Sequence, residues 1–324
     1  MANKRFVDLH CDTVVCEVMK SRGVRRLRSN PEGHLDLVRL GEAGSLVQAF
    51  ALFISKDPAG SGYTDENIGP WEFFNRAADW YDRELADNAD LLAPVLQYGD
   101  IAGIAAAGKI GALLTVEDGV PMEGSLARLD DMHRRGVRLI TLTWNYENSL
   151  AFPNAVAPEK GLKPFGFAAL ERMNELGVVP DVSHLSDAGF WDVAKHTKKP
   201  FVASHSNARA LCPVMRNLTD EMLRALAEKG GVAGLNFASD FLVANTHQSY
   251  IKDIVRHARH IAHVAGVETL ALGSDFDGID CALEFRDCTG LPLIEEALNA
   301  AFPAREVDLI TNGNALRVLR ESIG

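Results

Sequence analysis

Cysteine is scarce in this chain: five residues in 324, an odd number, with no CxxC pair. That count argues against a disulfide framework and for a reducing compartment, and the Cys11-to-Cys16 spacing does not match a structural zinc knuckle. Long apolar runs are missing too. No stretch reaches the roughly 18 apolar residues of a membrane-spanning helix. The opening MANKRFVDLHCDT has no apolar core of a signal peptide, and the closing RVLRESIG is no lipid-anchor signal. The expectation is a cytoplasmic protein with no membrane partner. Positive charge is in deficit, with 33 Lys and Arg against 44 Asp and Glu and a net charge of −11. Nucleic acid, whose binding rests on cations meeting phosphates, is not an expected partner. The one local basic stretch (Arg22, Arg25, Arg26 and Arg28) reads as a solvated face. No GxGxxG follows the first strand pattern, which weakens a dinucleotide-binding fold. Internal repeats and low-complexity linkers are also absent.

What remains is an ordinary soluble composition, 47% apolar and 24% charged. Short apolar runs alternate with longer amphipathic ones. Eight runs read as strands: 5–11, 46–54, 111–116, 137–143, 178–183, 200–204, 231–237 and 269–274. Most are rich in Val, Ile, Leu and Ala, as strands buried on both faces are. Helical patterns fall at 72–90, 124–135, 165–176, 186–197, 219–229 and 248–265, with Ser186 and Thr219 at capping positions. Eight strands alternating with helices predict an α/β fold, a (β/α)8 TIM barrel, with a doubly wound open sheet as the alternative. Residues 55–70 read as a loop over one mouth. Residues 1–324 read as one domain, with a C-terminal extension from about 284.

Such a barrel places its chemistry at the C-terminal ends of its strands. Strand one ends in His10-Cys11-Asp12, where alternation turns His10 and Asp12 inward and Cys11 outward. The third ends at Glu117, the fourth at Trp144-Asn145, the fifth at His184, the sixth at His205 and the eighth at Asp275. Asp118 and Asp277 read as caps or loop residues. An isolated His or Asp at a strand end is ordinary. Three histidines and three carboxylates converging on one mouth are not, because buried charges need partners or metals. Imidazole nitrogen and carboxylate oxygen suit zinc or a similar divalent ion, and a carboxylate bridging two ions recurs in hydrolases. The predicted centre is therefore a divalent-metal site. The histidines of RHARHIAH (His257, His260 and His263) drift around a helix and read as an exposed face. Asn207 and Arg209, in the turn after His205, read as residues that orient it.

These segments resemble the membrane dipeptidase (renal dipeptidase) family of binuclear zinc peptidases, within the amidohydrolase-like barrels. The resemblance runs from DLHCDT to GSDFDG. Its most specific pieces are SHSNARALCPVMRNLTDEMLRALAEKGGVAGLNF at 204–237 and DVSHLSD at 181–187. It implies that His10 and Asp12 hold one zinc, that His184 and His205 hold the other and that Glu117 bridges them. A hydroxide between the ions would be the nucleophile, Asp275 the proton carrier, and Arg216, in VMRN, the clamp for the free carboxylate of a dipeptide. The family also implies a homodimer and tolerance of a D-residue at the C-terminal position. One position departs from the pattern. Mammalian-type relatives carry His at the end of strand four, where this chain has Trp144; Trp144 and Asn145 are expected to touch substrate as a pocket wall or an oxyanion donor. The expected activity is a metal-dependent dipeptidase. Alternatives are another amidohydrolase-type reaction, on an N-acyl amino acid, a lactone or a deaminase substrate, and a binding protein that retains the metal site.

Overall fold

The computed structural model describes residues 5–324. Eight parallel strands form where the apolar runs predict them: β1 (Phe6–Asp8), β2 (Ser45–Phe53), β3 (Ile110–Glu117), β4 (Val137–Thr141), β5 (Val179–Asp181), β6 (Val202–Ala203), β7 (Val232–Leu235) and β8 (Leu270–Leu272). Each pairs with the next, and β8 returns to β1 through Asp8 opposite Leu272, so the sheet closes into a (β/α)8 barrel. Several strands are shorter than the sequence pattern because their last polar residues have left the ladder to enter the mouth; β1 ends at Asp8, so His10 and Asp12 reach the mouth beyond the ladder and not by the strand alternation that turns Val7 and Leu9 inward. Three short strands escape the pattern: Gln248–Ser249 and Ala282–Leu283, which pair with each other outside the barrel, and Leu92–Pro94, which joins it. Leu92–Pro94 pairs with Ile110 to Ala112 on the lower half of β3, below the point where β4 joins at Leu114.

Strand alternation divides the core in two. Val7, Leu9, Val47, Ala49, Leu113 and Leu139 belong to the apolar cluster inside the barrel, while Phe6, Phe50, Leu52 and Ile140 pack outward against the helices. The last helix, Asn314–Ile323, joins the interior cluster through Ala315, Val318, Leu319 and Ile323, spaced along one face. The C-terminal segment thus fills the end of the barrel remote from the polar mouth. Ser186 and Thr219 cap their helices as predicted, accepting from the backbone N–H of Gly189 and Met222. The 55–70 loop does reach the mouth, where Tyr63 packs on Phe53.

Arg22, Arg25, Arg26 and Arg28 form the solvated face that the sequence predicts, each meeting a carboxylate, and Arg26 reaches the fully buried Glu84. The histidine tract departs from its reading as an exposed face. His263 is exposed and His260 pairs with Asp220, but His257 is fully buried. Its Nδ1 accepts from the Ala208 N–H at 3.1 Å and its Nε2 lies 2.9 Å from the Leu242 carbonyl, so it is a neutral strut between two loops of the mouth. No helix among the described residues is long and apolar enough to cross a membrane.

Burial lowers the His257 pKa from 6.5 to about 4. Above pH 6.5 the ring is neutral in both folded and unfolded chains and has no linkage effect. As the pH falls from 6.5 towards 4, the unfolded chain takes the proton and the folded one does not, so stability is lost, by at most about 3 kcal/mol. We expect His257→Gln to be less stable at neutral pH but to lose less stability between pH 7 and 4.5 than the parent, as read from denaturant midpoints across that range.

Candidate metal centre

The strand ends deliver their side chains by leaving regular geometry. His184 and Asp275 have left-handed backbones, with φ of +67° and +63°, and Asp118 and Asp277 share that conformation. A non-glycine residue there costs about 1–3 kcal/mol, which the surrounding hydrogen bonds must offset. Asp118 and Asp277 are tied accordingly. Asp118 accepts from Val120 N and Asn148 Nδ2, and Asp277 from Thr13 Oγ1 and His34 N. They act as loop anchors, as the sequence reading held. Gly278 follows on the same turn; a Cβ there would collide with the Asp12 and Asp275 carboxylates, so only glycine leaves that space open.

His10, Asp12, Glu117, His184, His205 and Asp275 are all buried at the mouth. Glu117 lies between the histidines: its Oε2 is 3.6 Å from His10 Nε2, and its Oε1 is 3.0 Å from His184 Nε2 and 3.6 Å from His205 Nε2. Asp12 and Asp275 approach His10 Nε2 at 3.3 and 3.9 Å. Donor atoms of His10, Glu117 and His205, and of His10, Asp12 and Asp275, fall within 4.8 Å of one another, two groups that share His10.

Hydrogen bonds to the far side of two rings fix their tautomers. Asn145 Oδ1, which can only accept, lies 3.0 Å from His184 Nδ1. Ser204 Oγ lies 2.7 Å from His205 Nδ1 and donates its own proton to Asp181 Oδ2 at 2.6 Å. Both Nδ1 atoms therefore carry the hydrogen and both Nε2 atoms present lone pairs. Those lone pairs face each other at 3.1 Å, with Glu117 Oε1 beside them. Both Nε2–Glu117 approaches pair one electron-rich atom with another. Among the described residues, His10 has no hydrogen bond on either nitrogen, and Asp12 Oδ1 has none. Converging, unprotonated and partly unpartnered donors at this depth fit divalent cations.

The ionisation trends reflect the same crowding of buried groups. Burial, helped by the nearby Arg216 and His10 charges, holds His184 and His205 well below the usual histidine range. Burial also depresses His10, but Asp12 and Glu117 outweigh it and lift that ring well above the range. Burial, reinforced by Asp12, pushes Glu117 up to about 8 and Asp275 up to about 7.

A cavity of about 280 Å³ opens above this cluster, with Arg216, Trp144 and Phe53 among its walls. Arg216 donates to Ser206 Oγ at 3.1 Å and lies 3.0 Å from His184 Nε2, its guanidinium over the Phe241 ring. Its Nε is buried without a partner, and no carboxylate among the described residues forms an ion pair with it. Trp144 packs edge-on against Phe53 at 4.8 Å and lines the cavity as a wall. Asn145 also borders the cavity, but its carboxamide oxygen is engaged by His184 rather than left free.

Among the described residues, Asn207 and Arg209 form no hydrogen bond with His205, although Asn207 holds Asn236, which donates to the His205 carbonyl. Asn207 ties the Asn236 loop, and Arg209 forms a two-toothed pair with Asp187. The residues that orient His205 are Ser204, Asp181 and Ser183, which the sequence reading missed. Asp181 accepts four hydrogen bonds, from Ser183 N, Ser204 N, Ser204 Oγ and Thr141 Oγ1, and so joins β4, β5 and β6. Asp8 does the same across β1, β2 and β8 through Ser274 and Gln48. The available signal was an Asp inside an apolar strand, with a Ser immediately before a site residue on the neighbouring strand.

A parallel eight-stranded barrel with histidines and carboxylates gathered at its mouth defines a metal-dependent hydrolase. The family profile of membrane dipeptidase (peptidase family M19) matches residues 1–323, and the chain belongs to that family. An uncharacterized dipeptidase of Schizosaccharomyces pombe is 34% identical over 262 residues, 76% of this chain and 61% of that protein. An uncharacterized Klebsiella pneumoniae protein encoded in the pqqA 5′ region is 35% identical over 246 residues, 73% of this chain and 91% of its own length. Among solved structures, dipeptidase AC, a family M19 metallopeptidase, superposes with a TM-score of 0.89 at 25% identity over 99% of both chains. A Rhodobacter sphaeroides metallopeptidase, solved with a phosphinate mimic of L-Ala-D-Ala, has the same fold, with a TM-score of 0.89 at 24% identity over 99% of both chains.

Because Ser204 sets the His205 tautomer, we expect Ser204→Ala to weaken divalent-metal affinity by about 10- to 100-fold, with the fold retained. Competition with a chromophoric chelator reads the affinity, and circular dichroism the fold.

Proposed function

We propose that this protein is a zinc dipeptidase that hydrolyses the peptide bond of short dipeptides, including those with a D-residue at the C-terminal position. The observation that supports this most is Arg216, a half-buried guanidinium that forms no ion pair among the described residues and faces the same cavity as the histidine–carboxylate cluster. A free carboxylate is the complement of that group.

His10 and Asp12 would hold one divalent ion, His184 and His205 the other, with Glu117 shared. Bound there, the ions would polarise the scissile carbonyl and lower the pKa of a water molecule. The rest of the work falls to the chain. Arg216 fixes the substrate's carboxylate, so the peptide bond is presented over the cluster. Asp275, with a pKa raised towards neutrality and Oδ2 held by Asn236 Nδ2 at 2.9 Å, accepts a proton at that carboxylate and returns it to the leaving amine. Trp144 and Phe53 wall the cavity against bulk water. The five unpaired cysteines fit a cytoplasmic setting, where dipeptides from peptide turnover would be the small-molecule partner.

Three outcomes are expected. Zinc-loaded protein cleaves L,L- or L,D-dipeptides and the metal-free form does not; cleavage of N-acyl amino acids alone would move the reaction to another amidohydrolase class. Arg216→Met raises the dipeptide KM about 10- to 100-fold, the loss of a charged hydrogen bond to substrate. Asp275→Asn lowers kcat by about 10²- to 10⁴-fold with metal content unchanged, as checked by elemental analysis.

A further inference from the structure

The cavity has an acidic wall that the cluster and the carboxylate clamp do not use. Asp240 lies in the short helix Ser239–Leu242, and Asp280 in the turn after Gly278. The two segments are tied where Ser239 N donates to Cys281 Sγ at 3.5 Å, and both aspartates border the cavity. Neither side chain forms a hydrogen bond or ion pair among the described residues, although most other surface arginines and carboxylates of this chain are paired. Arg216 is the one lysine or arginine among the cavity's lining residues, and its guanidinium stacks on Phe241, next to Asp240. On the other side, the wall of Phe53, Tyr63 and Trp144 is aromatic and uncharged.

We propose that Asp240 and Asp280 select dipeptides with a basic side chain on the residue whose carboxylate Arg216 holds. This inference rests on the dipeptidase reading above. Arg216 fixes that residue beside the Ser239–Phe241 wall, so its side chain is the group the two carboxylates face. A lysine or arginine side chain there would gain two attractive charges at the rim while its methylenes lie along the cavity. An acidic side chain would meet two like charges. Both aspartates are exposed, so each contact is modest, and together they amount to about a tenfold preference for basic over acidic. Solvent exposure also makes the preference salt-sensitive.

The test is kcat/KM for Ala-Lys, Ala-Gln and Ala-Glu, with each stereochemistry at the second residue, plus Lys-Ala, on the zinc-loaded enzyme and its Asp240→Asn/Asp280→Asn variant. The expected result is a Lys-to-Glu ratio of about ten for the second residue, falling to about two in the variant and shrinking in 0.5 M salt. Cleavage with no charge preference would overturn the inference alone. So would a preference confined to Lys-Ala, or a variant in which Ala-Gln falls as far as Ala-Lys, since the wall would then read the amino-terminal residue or the α-amine. Absence of cleavage across the whole panel would overturn the dipeptidase reading and this inference with it.

Discussion

The structure turns on one repulsion. At the barrel mouth the lone pairs of His184 Nε2 and His205 Nε2 face each other across 3.1 Å, beside Glu117 Oε1 and with His10 and Asp12 close behind. The ring hydrogens cannot relieve it, because Asn145 and Ser204 hold them on the Nδ1 atoms; Arg216 Nη2, 3.0 Å from His184 Nε2, brings a hydrogen to one side of the group alone. Burial denies the group water, and an uncompensated buried charge is among the most expensive features a fold can hold. Divalent cations, on the proposed reading, would convert the same atoms from a liability into a set of ligands. On that reading the protein folds around a centre that is completed from outside.

The scaffold has to resist that repulsion before any ion arrives, and it does so by stitching strands together just below the mouth. Asp181 binds β4, β5 and β6 with four accepted hydrogen bonds, and Asp8 binds β1, β2 and β8. These carboxylates differ from those above them because every one of their oxygens has a donor. The left-handed backbones of His184 and Asp275 add local strain, which the fully hydrogen-bonded layer beneath can hold. Further down, the apolar interior and the Asn314–Ile323 helix close the remote end, so the polar chemistry is confined to one face.

Much of this was legible in the sequence because continuous apolar runs and strand-end polar residues are local signals. All eight barrel strands lie where those runs fall, and the six ionisable residues at their ends meet as the barrel rule requires. The missed strands, of two or three residues each and with a proline in Leu92–Pro94, are too short for any period to show. The clamping roles of Asp181 and Ser204 depend on which strands become neighbours, a tertiary fact that a linear pattern does not contain. His257 misled for the same reason: its helix presents a mixed face, and only the packing of the Ala208 and Leu242 loops shows that this ring is inside. Asn207 and Arg209 were assigned to His205 by proximity along the chain, whereas their bonds run to other loops.

The central claim is that the mouth is a two-cation centre organised by Glu117. Calorimetric titration of metal-free protein with zinc tests it most directly, with Glu117→Gln as the comparison. The account predicts two ions per chain, and a Glu117→Gln protein that binds both more weakly because both share that carboxylate. A single ion per chain, or two whose affinities are indifferent to Glu117, would contradict it.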